Sequence, residues 1–291
     1  MKKKIKVVLF FNHFRGIHVL RNLSKKSYEI NKVFLSKKNL NIKVIPFLKK
    51  NNIKHQVIRD VNSNSIISYI KNNNIDFNII AGFPYIFKKE LLDSANNATL
   101  NLHAGKLPSY KGGSPLNWQI INGEKKIGIS IIKANEQIDQ GSILGKSYFH
   151  LKKSYDISDV HRIANIKFVK LLSKVLKKFI KGKVVYSNNI GGKTYKQRNS
   201  SNGLIMWNEM NKENIFNFVR AITYPYPGAF TFLKNNNEKI IILKCKPYKC
   251  VLKYKPGFIF IKNNDFFVKC KGGCVKLLKF EGKIKPGDVL N

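Results

Sequence analysis

Short apolar segments alternate with helix-length segments through the first hundred residues, and this alternation constrains the fold more than any other feature of the chain. The predicted strands are residues 5–11, 31–35, 54–58, 76–82 and 98–103. The predicted helices are residues 14–26, 63–73 and 88–95. Strands that are separated by helices form βαβ units and a mainly parallel sheet with helices on both faces. The sequence therefore predicts an α/β domain with a Rossmann-like sheet.

The second half of the chain changes character at a polar stretch. Residues 157–181 have apolar side chains every three or four positions, which predicts a long helix that packs on the sheet. The stretch 187–203 (SNNIGGKTYKQRNSSNG) is typical of a linker. We therefore predict a larger domain at 1–186, a linker at 187–205 and a smaller domain at 206–291.

The last ninety residues predict a small β-rich domain. A helix is expected at 211–222, and short strands follow it. Asn263-Asn264 and Gly272-Gly273 separate three of these strands and are typical of hairpin turns. We expect the strands to form a small barrel similar to an OB-fold.

The charge balance is strongly basic, with 54 Lys and Arg residues against 16 Asp and Glu residues and a net charge of +38. Such a charge attracts polyanions. However, only six of these residues are arginine, the usual side chain for bidentate phosphate contacts, and the lysines are spread along the whole chain. Solvated lysine surfaces are therefore favoured over a nucleic-acid patch, and an anionic small substrate is compatible with both.

We expect a reduced, cytoplasmic protein from the spacing of the cysteines and because no export signal can be recognised. Cys245, Cys250, Cys270 and Cys274 are spaced more loosely than the C-x2-C pairs of zinc ribbons, so we expect buried thiols and no metal. The apolar run at the amino terminus covers only Val7 to Phe11, which is too short for a signal peptide, and no run reaches the ~18–20 residues that span a bilayer.

Asn101 and His103 are the strongest candidates for chemistry. They lie two residues apart at the end of a predicted strand, so both side chains project from the same face. The carboxyl ends of strands are where open α/β sheets bind ligands. A carboxamide can donate to a developing oxyanion, and an imidazole can move a proton near neutral pH. Asp139 follows the predicted strand 127–133 and could approach His103 from a neighbouring strand end.

The segment NLHAGKLPSYKGGSPLNWQIINGE, followed by GISI and IDQG, resembles the folate-dependent formyltransferases. The residues that match the pattern of this family, in order, are Asn101, His103, Pro108, Gly123, Glu124, Asp139 and Gly141. The carboxyl-terminal segments 217–232 and 257–277 are similar to the second domain of the longer members. The resemblance is strongest to the sugar-nucleotide N-formyltransferases.

This resemblance implies roles for particular residues. Asn101 would hydrogen-bond the formyl oxygen, His103 would be the general acid and base, and Asp139 would tune His103. The co-substrate 10-formyltetrahydrofolate would be held by two segments, Tyr85-Ile86-Phe87 and Asn135-Glu136-Gln137-Ile138. Two positions depart from the family: Gly105 stands where many members have Ser, and Gly113 stands where some sugar-nucleotide members have Arg.

The resemblance also implies a substrate class. We expect a UDP- or dTDP-linked amino sugar, formylated for the synthesis of surface polysaccharide or glycan by an enzyme that is often a homodimer. The alternative substrate is methionyl-tRNA, although the tRNA enzymes tend towards an Arg-Trp-Arg-Gly-Ala-Ala-Pro loop where this chain has SYKGGSP. A non-catalytic basic binding module with the same fold is a third possibility.

Overall fold

A computed structural model describes residues 4–25, 28–251 and 253–291. It contains two compact units, and neither is continuous in sequence. The first comprises residues 1–112, 128–149 and 162–194, and the second comprises 113–127, 150–161 and 195–291. Two segments of the predicted first domain therefore belong to the second unit, and the first unit extends into the predicted linker.

The elements follow each other in this order. The helices are α1 (Phe14–Ser24), α2 (Val44–Lys50), α3 (Asn64–Asn72), α4 (Lys89–Leu92), α5 (Pro115–Ile121), α6 (Ile157–Ile180) and α7 (Lys212–Ile222), with a short 3-10 helix at Ser200–Gly203. The strands are β1 (Ile5–Phe10), β2 (Tyr28–Ser36), β3 (His55–Ile58), β4 (Phe77–Ile80), β5 (Ala98–His103), β6 (Lys111–Gly112), β7 (Lys126–Lys133), β8 (Ile143–His150), β9 (Thr194–Tyr195), β10 (Ala229–Phe232), β11 (Lys239–Tyr248), β12 (Ile259–Lys262), β13 (Asp265–Cys270) and β14 (Gly273–Glu281).

The first unit is built on a seven-stranded sheet with the order β3-β2-β1-β4-β5-β7-β8. The first five of these strands are parallel, and β7 pairs antiparallel with β5. Helices connect the parallel strands, which confirms the predicted Rossmann-like, mainly parallel sheet.

Both faces of this sheet are covered by helices, as predicted. Val8 and Phe10 of β1 pack in one apolar cluster with Ile66 and Ile70 of α3. Phe77 of β4 is the register partner of Val7, so it lies on the opposite face, where its ring contacts Phe179 of α6 at 5.2 Å. Burial on both faces explains why residues 7–10 of β1 are all apolar and do not alternate.

A five-stranded antiparallel sheet with the order β10-β11-β14-β13-β12 confirms the predicted β-rich carboxyl-terminal region. Both predicted hairpin turns are present. Asn263 and Asn264 have φ of 50° and 61°, the left-handed values that the tightest hairpin turns require. The second turn lies one residue earlier than predicted: Lys271 and Gly272 join β13 to β14, and Gly273 is the first residue of β14.

The prediction that all four cysteines are reduced is wrong for two of them. Cys250 and Cys274 form a disulfide, whereas Cys245 and Cys270 are buried thiols. The register of the sheet pairs Tyr248 of β11 with Cys274 of β14, so the chain just beyond β11 passes close to Cys274, and the two Cα atoms lie 6.0 Å apart. This cross-strand proximity depends on the register and was not readable from the spacing.

Candidate active site

Strand β5 places Asn101 and His103 as predicted. Consecutive strand residues point to opposite faces, so Leu102 is buried behind the two polar side chains. Asn101 is half-buried, whereas His103 has only 6% of its surface exposed. The imidazole is therefore shielded from water, and the amide is partly accessible from outside.

Asp139 reaches the same place from the loop between β7 and β8. β7 runs antiparallel to β5, so the carboxyl end of β7 lies beside Leu100, which precedes both polar residues in β5. The loop that follows β7 therefore has to bend back to reach Asn101 and His103. A hydrogen bond from the Ala134 amide to the Thr99 carbonyl anchors the base of this loop. Asp139 itself has a φ of 54°, a left-handed conformation that short polar residues tolerate.

The Asp139 carboxylate accepts hydrogen bonds from three donors. Oδ1 lies 3.1 Å from Nδ1 of His103 and 3.1 Å from Nδ2 of Asn101, and Oδ2 accepts the backbone N–H of Gly112 at 2.9 Å. Burial alone would raise the pKa of Asp139, but the contacts with His103, Gly112 and Asn101 together outweigh burial and lower it. The carboxylate is therefore held ionised, and it fixes the orientation of both the imidazole and the amide.

Both ring nitrogens of His103 face oxygen atoms in this arrangement. Nδ1 faces the Asp139 carboxylate, and Nε2 lies 2.7 Å from the backbone carbonyl oxygen of Tyr110. Both oxygens can only accept hydrogen bonds, so a proton on either ring nitrogen has a partner. A carboxylate beside Nδ1 stabilises the positive charge that the ring gains when it accepts a second proton.

Gly105 allows the loop that follows β5 to fold over the imidazole. A Cβ atom at this position would lie 2.2 Å from His103 Nε2 and 2.3 Å from the Tyr110 carbonyl oxygen. Real Cβ contacts are longer than 3 Å, so a side chain at this position is incompatible with the observed contact. The contact between His103 and the Tyr110 carbonyl thus requires a glycine at position 105.

Two residues that the sequence did not single out also contact this region. The Nδ2 atom of Asn189 donates to the carbonyls of Asp139 and Gly141, at 2.8 and 2.9 Å. The ammonium of Lys111 donates to the carbonyls of Asn189 and Gly191, at 3.0 and 2.9 Å. Part of the predicted linker therefore contacts the loop that carries Asp139. The polar composition of the linker does not indicate this contact, because the contact is made by hydrogen bonds and not by apolar packing.

The structure brings the two predicted folate-binding segments side by side. Tyr85 and Ala134, the residue just before the second segment, pack on the same apolar cluster, and the Lys89 amide contacts a carboxylate oxygen of Glu136. Ile86 and Ile138 are 58% and 56% exposed, whereas Phe87 is 3% exposed and packs on Phe10. Asn135, Glu136 and Gln137 are exposed. Exposed apolar side chains next to polar ones suit a flat heterocycle with hydrogen-bonding edges.

Within residues 4–25, 28–251 and 253–291, no group of three or more His, Cys, Asp or Glu side chains is arranged to hold a metal ion. No helix in the same residues is both long enough and apolar enough to cross a membrane.

Family models match both parts of the chain. The formyl transferase model matches residues 21–176, and the model of the formyl transferase carboxyl-terminal domain matches residues 198–287. This chain belongs to the formyl transferase family. Since the family transfers formyl groups from a folate carrier, the chain is a folate-dependent formyltransferase, and the Asn101–His103–Asp139 cluster is its candidate active site.

Curated relatives of this formyltransferase have more than one function. It is 30% identical to the bifunctional polymyxin resistance protein ArnA of Wigglesworthia glossinidia brevipalpis, with 94% of this chain and 42% of that protein aligned. It is 32% identical to the methionyl-tRNA formyltransferase of Clostridium acetobutylicum, with 80% of this chain and 76% of that protein aligned. This chain thus spans less than half the length of the first relative and about three quarters of the second.

Solved structures with the same fold include sugar N-formyltransferases. WlaRD, a sugar 3N-formyl transferase crystallised in the presence of dTDP and 5-N-formyl-THF, superposes with a TM-score of 0.71 at 19% identity, over 97% of this chain and 100% of that chain. The N-formyltransferase of Helicobacter canadensis, in complex with folinic acid and dTDP-3-aminofucose, has a TM-score of 0.71 at 17% identity, over 95% and 100%. At these identities the likeness shows the fold.

Proposed function

We propose that this enzyme transfers the formyl group of 10-formyltetrahydrofolate to the amine of a UDP- or dTDP-linked amino sugar in the cytoplasm, for the synthesis of surface polysaccharide or glycan. The observation that carries the choice of a sugar is the loop that covers His103. Tyr110 and Lys111 are each 5% exposed, and the Lys111 ammonium donates to two backbone carbonyls. This part of the loop therefore offers neither a free cation nor an exposed ring to a tRNA backbone.

The extent of the structural likeness supports the same substrate class. The two sugar N-formyltransferases described above match this chain over nearly its whole length and over all of theirs. Both structures were determined in the presence of a dTDP compound and a folate. A nucleotide-linked sugar is also an anion, which suits a protein with a net charge of +38.

Asn101 and His103 are placed to stabilise negative charge on the formyl oxygen. When bound, 10-formyltetrahydrofolate supplies the carbonyl that the sugar amine attacks. One N–H of Asn101 is bound by Asp139, and its second N–H is available for the oxygen. Donors that are fixed in advance cost no reorganisation during the reaction, and removing one such donor typically costs ~10²–10³ in rate.

The attacking amine has to lose a proton and the departing folate nitrogen has to gain one, and His103 relays the proton from the first to the second. Nε2 has to leave the Tyr110 carbonyl to reach the reacting atoms. The Asp139 carboxylate stabilises the imidazolium and holds Nδ1 in place throughout.

The experiment that tests this function compares acceptors. Purified enzyme is supplied with 10-formyltetrahydrofolate and a panel of UDP- and dTDP-linked amino sugars, and in parallel with methionyl-tRNA, and the formylated product is identified by mass spectrometry. We expect turnover on at least one amino sugar and none on the tRNA. The His103→Ala variant is the negative control. Turnover on the tRNA alone would overturn the choice of substrate and leave the formyl-transfer chemistry intact.

Methionyl-tRNA remains the second candidate because curated methionyl-tRNA formyltransferases are 27–33% identical to this chain. Under that function the net charge of +38 would bind the tRNA backbone, and binding would weaken steeply with salt. The homodimer that the resemblance implies stays a prediction, which light scattering can test.

A further inference from the structure

A closed ring of hydrogen bonds and covalent bonds passes through Asp139. The Lys111 ammonium donates to the Asn189 carbonyl, and the Asn189 side chain donates to the Asp139 carbonyl. The Asp139 carboxylate accepts the N–H of Gly112, which is covalently joined to Lys111. The ring thus connects three segments that are distant in sequence.

Lys111 occupies an unusual position for a lysine. It is only 5% exposed, and the structure gives it no ion pair among the described residues, so its charge is compensated by the Asn189 and Gly191 carbonyls. Burying an ammonium is costly unless such partners are fixed in place. The local structure of residues 189–191 is therefore coupled to the presence of this cation.

Asn189 is buried, although the residues on both sides of it in the sequence are exposed. Residues 185–188 and 190–194 are exposed, whereas Asn189 is 7% exposed. Its two donated hydrogen bonds end on Asp139 and Gly141, the two positions where the loop between β7 and β8 turns back. Close backbone contact accompanies these bonds, since a Cβ atom on Gly192 would lie 2.1 Å from the Pro108 carbonyl oxygen.

We propose that Lys111 and Asn189 are positioning residues for formyl transfer, which hold Asp139 and the loop over His103 in the register that the reaction needs. Neither side chain contacts His103 or Asn101, so both act through Asp139 and Gly112. This inference rests on formyl transfer at the Asn101–His103–Asp139 cluster, and it assigns a part in the reaction to two residues outside that cluster.

Four variants separate positioning from stability. Lys111→Met removes the charge and keeps the apolar stem, and Lys111→Arg keeps the charge. Asn189→Asp removes the two donors at constant size. Asn165→Asp is the matched control, because Asn165 is also buried, at 8% exposure, and its Oδ1, like that of Asn189, has no hydrogen-bond partner in the structure. For each variant we would measure kcat, KM for 10-formyltetrahydrofolate, the melting temperature and the exchange rate of the Gly112 amide by NMR.

We expect kcat of Lys111→Met and Asn189→Asp to fall on the order of 10²-fold, as a misplacement of about 1 Å produces, with KM unchanged. The Gly112 amide should exchange faster in both. Lys111→Arg and Asn165→Asp should keep the kcat and the Gly112 exchange rate of wild type, although the carboxylate buried in Asn165→Asp lowers the melting temperature. Wild-type kcat in Lys111→Met would overturn the proposal. So would a loss of kcat that follows the folded fraction while the Gly112 amide exchanges at its normal rate. The amide measurement needs no acceptor, so it decides this inference even if the proposed sugar substrate fails.

Discussion

Asp139 is the residue on which the other two members of the active site depend. It accepts donors from Asn101, His103 and Gly112 at once. In Asp139→Asn the side chain keeps its size but loses its charge, so the imidazolium loses its compensating partner. We expect kcat to fall about 10³–10⁴-fold, the cost of the equivalent change in a catalytic triad, while circular dichroism shows an unchanged fold. Activity within tenfold of wild type would contradict the role of Asp139.

The same carboxylate makes the stability of the fold depend on pH. The pKa of Asp139 is lowered in the folded protein, so its ionisation stabilises the fold above the unfolded value of ~3.9, and this contribution is lost as the pH falls through the folded value. Urea unfolding at decreasing pH should therefore show a larger loss of stability in wild type than in Asp139→Asn. Asp60→Asn, which changes an exposed aspartate, should follow wild type. Identical acid sensitivity of wild type and Asp139→Asn would contradict this account.

Gly105 permits the contact between the Tyr110 carbonyl and His103. A methyl group at Gly105 would collide with the imidazole and with a backbone oxygen, which cannot move aside cheaply. We expect Gly105→Ala to lower kcat on the order of 10²-fold by displacing the loop. Gly145→Ala is the matched control, because its Cβ would meet only side-chain atoms of Leu171 and Val175, at 3.0 Å or more. If kcat of Gly105→Ala equals that of Gly145→Ala, the loop does not depend on this glycine.

At the scale of single residues, site members can be predicted from the sequence where local strand geometry decides their position. Asn101 and His103 are adjacent on one face because strand side chains alternate. Asp139 was a candidate because it follows a predicted strand, and the family resemblance supplied its role, since the antiparallel direction of β7 and the return of its loop cannot be read from spacing. Lys111 and Asn189 were missed because a buried lysine that binds carbonyls looks the same in sequence as a solvated one.

At the scale of elements, a helix with a long apolar periodicity was predictable, whereas short or irregular elements were not. Residues 157–181 predicted α6 to within one residue at its carboxyl end. Helix α2 (Val44–Lys50) was missed because it has seven residues and includes Pro46 in its first turn, where proline is tolerated. Strand β8 lies at the edge of the sheet and was missed because Gly145 and exposed polar residues weaken its alternation. Serine is a common helix cap, but the hydroxyl of Ser114, which immediately precedes α5, accepts from Gln197 and Arg198 and does not cap the helix.

Helix α6 carries a row of exposed lysines that repel one another. Lys174 lies four residues from both Lys170 and Lys178, and all three are exposed. Like charges at this spacing destabilise a helix, whereas Glu placed four residues before Lys stabilises it by about 0.2–0.5 kcal/mol per pair. We therefore expect melting temperatures to rise in the order wild type, Lys174→Gln, Lys174→Glu. The same melting temperature in all three would show that solvent screens this face completely.

At the scale of the whole molecule, the charge of +38 opposes the compact state and yet suits anionic substrates. Long-range repulsion among exposed charges is screened as the Debye length shortens from about 10 Å at 0.1 M salt to about 3 Å at 1 M. The prediction is therefore that sodium chloride raises the melting temperature, with most of the rise at low concentration, where screening changes fastest. A protein with balanced charges has no such repulsion to relieve.

A variant with fewer charges separates this screening from other effects of salt on the fold. Replacing the five exposed lysines 170, 174, 177, 178 and 181 of the α6 face and its end by Gln leaves the apolar face of the helix intact. Since self-repulsion grows with net charge, the variant should melt higher than wild type at low salt and should gain less when salt is added. If the melting temperatures of wild type and variant rise equally with salt, the effect comes from stronger apolar burial. The net charge would then have no effect on stability. A smaller slope in the variant requires that the surface lysines repel one another across the fold, which is the cost this enzyme bears for a surface that attracts anions.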